Sequence, residues 1–231
     1  MQRPGEGDEP HRLSDRGVVF DLDGTLVDSE PLSDDAWRSV LAGHGYDVSE
    51  AELQAVHGFR FGDVYATFER RAPLPPPAAL WSEYSQLLFA SFDTRLVAFP
   101  DAVTTARALQ TSGVPLALAT SSRRERLDRT LAAVNLTALF TVTVAGDEVS
   151  HGKPAPDGYL TAAELLGIDP AHCVAIEDSQ AGIDAARAAG MKVLGVTRPG
   201  LRGSLTGADL LADEVSAAGV GGLLLERLER P

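Results

Sequence analysis

Lysine is almost missing from this chain. Of its 20 basic residues only Lys153 and Lys192 are lysines, and the other 18 are arginines. Any role that needs an ammonium group has two candidates. Cysteine occurs once, at Cys173, which excludes an internal disulfide and fits a reducing compartment. No apolar run is long enough to span a bilayer. The first fifteen residues, MQRPGEGDEPHRLSD, lack the apolar segment of a secretion signal and read as a disordered tail. A cytoplasmic location is expected. Positive charge is scarce too. The formal net charge is −13, and no basic patch of the kind that attracts nucleic acid stands out. The cluster RRERLDR at 123–129 mixes acids among its arginines at helical spacing and reads as a solvated helix face. Neither nucleic acid nor a membrane is expected as a partner, and a monomer is expected.

What is present alternates. Short apolar, β-branched runs occur at 17–23, 114–120, 140–146, 172–178 and 191–197. Helical patterns at 101–113, 122–135, 156–167 and 179–190 separate the later ones. Continuous apolar strands alternating with helices predict an α/β fold, a Rossmann-like parallel sheet covered on both faces. Such sheets bind ligands beyond the carboxyl ends of their strands. From about Pro31 to Phe99 no comparable strand appears; the segment reads as helices at 32–45, 49–58, 61–72 and 77–92, with PLPPP at 73–77 as a breaker. The expected division is a tail at 1–15, a core of 16–30 and 98–231, and a helical insertion at 31–97. The segment after Leu201 offers one more short strand and helix.

On this scaffold the polar residues converge. Asp21 and Asp23 end the first strand, Thr120 and Ser121 the second, and Glu177 and Asp178 the fourth. Lys153 precedes the helix that follows the third. Carboxylates so grouped raise one another's pKa, and a hard divalent cation such as Mg²⁺ relieves this with oxygen ligands and a substrate phosphate. Lys153, Thr120 and the backbone N–H groups at the following helix start add anion donors. The set suits a phosphoryl group: an ionised aspartate attacks phosphorus, and a second carboxyl moves the proton.

The stretch DLDGTLVDSE at 21–30 resembles the first motif of the haloacid dehalogenase superfamily, in its phosphatase and phosphomutase branches. LALATSS, GKPAPDGY and VAIEDSQAGI resemble the second, third and fourth motifs, in order and spacing. The likeness covers 17 to about 200, and the insertion sits where the first subfamily carries its cap domain. It implies that Asp21 is the nucleophile and that Asp23 is the general acid/base, its carbonyl also binding Mg²⁺. Asp178 is then the second carboxylate ligand, with Glu177 on the metal nearby or through water. Thr120 and Lys153 hold the transferring group, with Ser121 beside them. In the cap, Arg60 is the favoured substrate contact and His57 the weaker one, both within HGFRFGDV. Ser122, Asp28 and Glu30 read as capping or hinge groups, Cys173 as core, Lys192 as a surface charge, and His44, His151 and His172 as structural or exposed.

The implied activity is Mg²⁺-dependent hydrolysis of small sugar or polyol phosphates through an aspartyl-phosphate. A β-phosphoglucomutase is the alternative, but Ser33 stands where that enzyme has a histidine and Phe61 where it has a cap arginine. A dehalogenase needs neither Asp23 nor a metal site. A phosphonatase needs a cap lysine, and the insertion has none. A non-catalytic phosphate sensor would be expected to have lost Asp21 or Asp23.

Overall fold

The computed structural model describes residues 13–198 and 205–225. In chain order its strands are β1 Gly17–Phe20, β2 Val27–Asp28, β3 Val97–Ala98, β4 Leu116–Ala119, β5 Val142–Val144, β6 Cys173–Glu177, β7 Lys192–Val196 and β8 Leu210–Ala212. Six of them form one parallel sheet in the order β5-β4-β1-β6-β7-β8, and β2 and β3 pair antiparallel apart from it. The helices are α1 Glu30–Gly43, α2 Glu50–Gln54, α3 Phe61–Glu69, α4 Pro77–Arg95, α5 Pro100–Thr111, α6 Arg124–Ala133, α7 Asp157–Leu166, α8 Gln180–Ala188 and α9 Ala217–Leu225. The expected strand and helix after Leu201 are β8 and α9. Leu13–Asp15 form a 3-10 turn, and the rest of the expected N-terminal tail lies outside the described residues.

Alternation along β1 divides its side chains between two cores. Val18 and Phe20 join a cluster with Leu118, Leu127 and Ile176; Val19 faces a second with Ala117, Tyr159 and Ile183. With both faces covered, the strands read as unbroken apolar runs. Strand β1 lies centrally, pairing Phe20 with Leu118 on one side and Ile176 on the other. That register sets the positions just beyond β1, β4 and β6 side by side.

Ladder pairing along β1 stops at Phe20, earlier than the apolar run suggests. Asp21 still donates its N–H to the Ile176 carbonyl at 3.0 Å, and then the chain turns back. Gly24 allows the turn with φ +82°, and its N–H bonds the Val27 carbonyl at 2.8 Å. The β2–β3 pair ties together the two ends of the helical insertion, α1–α4.

That insertion carries its own apolar cluster. Leu32, Trp37, Leu41, Phe68, Leu80, Tyr84 and Leu88 are buried together. Trp37 stacks on Tyr84 with 4.5 Å between centroids. Pro77 opens α4 at its first turn, where a proline's missing N–H costs nothing, so the proline run starts a helix as well as ending one. The helix expected at 49–58 is shorter. A Ser49–Glu52 capping box starts it, but it stops at Gln54, and Gly58 at φ +75° turns the chain into a loop that carries His57 and Arg60.

Both tryptophans of the chain, Trp37 and Trp81, lie in this insertion, so their fluorescence reports on it. Phe68 is fully buried against Trp37. Phe68→Ala is expected to cost about 3–5 kcal/mol, read as a lower urea midpoint of tryptophan fluorescence. An unchanged midpoint would show that the cluster does not stabilise the insertion.

Candidate active site

Beyond the ends of β1, β4 and β6 the polar side chains form two poles. The first centres on Lys153. Its ammonium donates to Asp21 Oδ1 and to Glu177 Oε1, each at 2.5 Å, and to the Ala119 carbonyl at 3.3 Å. Glu177 is fully buried. Its Oε1 also accepts from the Tyr159 hydroxyl at 2.6 Å, and its Oε2 accepts from the Asp178 and Ser179 N–H groups and the Ser179 hydroxyl. Helix α8 lies so close that a Cβ on Gly182 would fall 1.8 Å from Glu177 Oε1. Asp178 Oδ1 accepts from the Thr25 hydroxyl at 3.0 Å, and a Cβ on Gly24 would fall 2.1 Å from Asp178 Oδ2. Glycine at 24 therefore serves the close carboxylate as well as the turn.

The second pole centres on Asp23. Its Oδ1 accepts from the Ser29 hydroxyl at 2.5 Å and Arg126 at 2.7 Å; its Oδ2 accepts from the Ser122 hydroxyl at 2.6 Å and, more weakly, Thr120 at 3.4 Å. Ser122, expected to cap α6, lies one residue before the cap position. Arg123 occupies that position and makes no side-chain cap, since a guanidinium has no acceptor, while the Ser122 hydroxyl bonds Asp23. Arg126 is a larger correction. The RRERLDR segment is not a solvated face throughout: Arg126 points inward, 9% exposed, to Asp23 and the Tyr84 hydroxyl. Its position three residues after Arg123 held the clue, but only the packing of α6 under α4 shows which arginine turns in. Glu30, read as a hinge or cap, lines the cleft beside Asp23.

The electrostatics of the poles differ. Burial pushes Asp21 up to about 8; Lys153 pulls it down, while Glu177 and Asp23 push it further up. Burial and the charges of Asp21 and Glu177 carry Asp178 well above the usual carboxylate range. Burial would also raise Asp23, but the Arg126 charge and the bonds from Ser122 and Ser29 outweigh it and hold Asp23 below its ordinary value. The first pole thus has more carboxylate than Lys153 neutralises. Asp21, Glu177 and Asp178 bring ligand oxygens within 4.8 Å of one another. An all-oxygen set with surplus negative charge fits a hard divalent cation. Glu177 is the least available of the three, since both its oxygens already accept from protein donors.

Two clefts open on these poles. One is lined by Asp21, Asp23, Thr120, Ser121, Lys153 and Asp178, with Glu30, His57, Gly58 and Ser179 at its side. The Ser121 hydroxyl is buried with no partner among the described residues. The adjoining cleft runs under the insertion past Asp34, Trp37, Trp81, Tyr84 and Arg126, and Asp23, Glu30, His57 and Ser121 line both. His57 Nε2 lies 2.8 Å from Asp34 and 3.6 Å from Glu30. Burial alone would lower its pKa, but these carboxylates raise it. Arg60 lies elsewhere. It donates to the Ser150 carbonyl at 3.4 Å, pairs with Asp63, and lines an outer cleft with Arg123 and Asp147. Of the two insertion candidates, His57 borders the cleft carboxylates and Arg60 lines the outer cleft. Cys173 is buried, His44 and His151 pair with Glu83 and Asp157, and Lys192 pairs with Asp209.

The family model of haloacid dehalogenase-like hydrolases matches residues 16–190. The chain belongs to that family. This hydrolase is 34% identical over 183 residues to the fructose-1-phosphate phosphatase YqaB of Escherichia coli K12, covering 78% of this chain and 95% of the relative. It is 32% identical over 200 residues to hexitol phosphatase A of the same bacterium, covering 85% and 89%. Among solved structures, CbbY of Rhodobacter sphaeroides with xylulose 1,5-bisphosphate superposes with a TM-score of 0.83 at 26% identity, over 91% of this chain and 99% of the other. The hydrolase is a phosphoric monoester hydrolase of the haloacid dehalogenase type. Among the described residues no helix is long and apolar enough to cross a membrane.

The raised carboxyls predict how a cation acts on stability. Asp21 sits near 8 when folded against 3.8 unfolded. The folded metal-free chain therefore keeps a proton that the unfolded chain releases. That contribution to stability is complete below about pH 4 and is lost as pH climbs through about 8. In EDTA the melting temperature is expected to fall across that window relative to the protein in Mg²⁺, so the gain from Mg²⁺ is larger at pH 8 than at pH 6. An equal gain at both would show that the cation does not sit on these carboxylates.

Proposed function

We propose that this hydrolase cleaves small sugar or polyol phosphate monoesters through an aspartyl-phosphate on Asp21, with Mg²⁺ bound. One observation carries the reading. Asp23 stands where two clefts meet, one built of Asp21, Lys153 and Thr120 and the other roofed by the insertion's aromatics. The first has the donors for a phosphoryl group. The second has carboxylates and aromatic rings suited to a hydroxylated leaving group, and Asp23 lies at the boundary where the ester bond would fall.

The residues divide the work. The Asp21 carboxylate attacks phosphorus, and the P–O bond to the leaving alcohol breaks. Lys153 draws charge toward Asp21, and the Thr120 and Ser121 hydroxyls are available to the phosphoryl oxygens. Asp23 protonates the departing oxygen, then takes a proton from the water that hydrolyses the phosphoaspartate. Despite burial, Arg126 beside it holds Asp23 below the usual carboxylate range, which favours the ionised form that the second of those transfers needs. Mg²⁺ would be held by the Asp21 and Asp178 carboxylates and the Asp23 carbonyl, and when bound it neutralises charge on the phosphoryl oxygens. We assign Glu177, whose oxygens are committed, to fixing Lys153. The insertion, 31–97, is read as the cap that selects substrate and excludes water. Activity on sugar and polyol phosphates among its relatives supports this choice of substrate.

Phosphate release from a panel of hexose, deoxyhexose, hexitol and glycerol phosphates, phosphoglycolate and β-glucose 1-phosphate tests this. Hexitol and ketose phosphates are expected to lead, with activity lost in EDTA and lowered about a thousandfold or more by Asp21→Asn. Conversion of β-glucose 1-phosphate to glucose 6-phosphate without phosphate release would instead establish a mutase.

A further inference from the structure

Helix α6 of the core meets α4 of the insertion through a ladder of arginines. Arg123, Arg126 and Arg129 recur every third residue. Arg123 lies 4.7 Å from the Trp81 ring and Arg129 lies 5.6 Å from the Phe89 ring. The Trp81 indole N–H adds a bond to Glu125 at 2.9 Å. These outer rungs are solvent-facing cation–π contacts of modest strength. The middle rung is of another kind. Arg126 is buried, donating from one terminal nitrogen to the Tyr84 hydroxyl at 3.0 Å and from the other to Asp23 at 2.7 Å. Tyr84 in turn bonds Ser33 of α1 at 2.9 Å and stacks on Trp37. One guanidinium therefore touches the candidate acid/base and reaches two insertion helices.

Stability alone is a poor reason for this arrangement. A buried ion pair is often matched or bettered by apolar residues of similar volume, and here the Arg126 Nε lacks any partner among the described residues. The rigid fork of a guanidinium does what an apolar residue cannot: it fixes two partners relative to each other.

We propose that Arg126 is a positioning residue that couples the seating of the insertion to the placement of Asp23, with Tyr84 as the insertion's end of the link. This rests on the reading of Asp23 as the acid/base. When the insertion is seated, Tyr84 holds one side of the fork and the other side holds Asp23 at the cleft boundary. When it lifts, Tyr84 withdraws and Arg126 loses the contact that sets its angle. Proton transfer is thereby confined to the seated state, in which the cleft is shielded from water.

Two substitutions cut the link and keep the surroundings. Tyr84→Phe retains the ring stack, and Arg126→Lys retains a positive charge beside Asp23 but cannot span both partners. Each is assayed by release of the alcohol in the first turnover, before the shared hydrolysis of the phosphoaspartate, with a hexitol phosphate and with p-nitrophenyl phosphate, whose leaving group departs without a proton, and Asp23→Asn is the reference. Each is expected to lower the first-turnover rate of alcohol release from the hexitol ester about tenfold while changing KM and the first-turnover rate on the aryl ester less than about threefold. The double variant should be no worse than the worse single one, because the two changes break the same link. A parallel fall on both esters, no fall on either, or additive losses would overturn the coupling while leaving the phosphatase in place. Failure of the wild-type protein to hydrolyse either ester would overturn the phosphatase reading and the coupling with it.

Discussion

The site depends on one buried ammonium. Lys153 lies between Asp21 and Glu177, and each of those carboxylates would be expensive to bury ionised without it. Glu177 is the anchor. It receives the Tyr159 hydroxyl from α7, two backbone N–H groups, the Ser179 hydroxyl and the ammonium itself, and α8 packs against it where only glycine fits at 182. A carboxylate held from so many directions does not move, so the lysine it holds does not move, and Asp21 is met by a fixed charge. Preorganisation of this kind lets a charge act on a reacting group without reorganising first.

The same principle explains why two aspartates only two residues apart behave differently. Asp21 shares its lysine with Glu177 and lies near Asp178, so its surroundings hold excess negative charge. Asp23 has Arg126 close at hand and hydroxyls from Ser29 and Ser122. One carboxyl is pushed up and the other down because their surroundings differ in charge. The two basic side chains differ to match. A compact ammonium reaches Asp21 and Glu177 from one point, while a forked guanidinium bridges Asp23 to a residue of the insertion.

The insertion contributes more than a cover. Its α1 begins with Glu30, extends to Ser33 and Asp34, and carries Trp37 in the same rows, so one helix supplies cleft acids and aromatic packing together. The Ser29 hydroxyl, which could have capped α1, bonds Asp23 instead. A local helix-capping contact is thus given up for a contact between the insertion's first residues and the turn after β1.

Strand ends were legible in the sequence because a sheet covered on both faces leaves unbroken apolar runs that stop where polar residues begin. Asp21, Asp23, Thr120, Glu177 and Asp178 all stand at such stops, and Lys153 stood out because the chain has almost no lysine. The α/β fold and the helical insertion follow from the same periodicities. Arg126, Tyr84 and Asp34 were not legible: each lies on a helix among residues of its own type, and helical spacing does not say which of several faces meets a partner. The stop of α2 before His57 was equally hidden, since Gly58 acts through its backbone angle. Local pattern determined where the charges sit along the chain. Only the packing of α6 against α4, and of the insertion over the sheet edge, decided which charge faces which, because that depends on contacts between segments far apart in sequence.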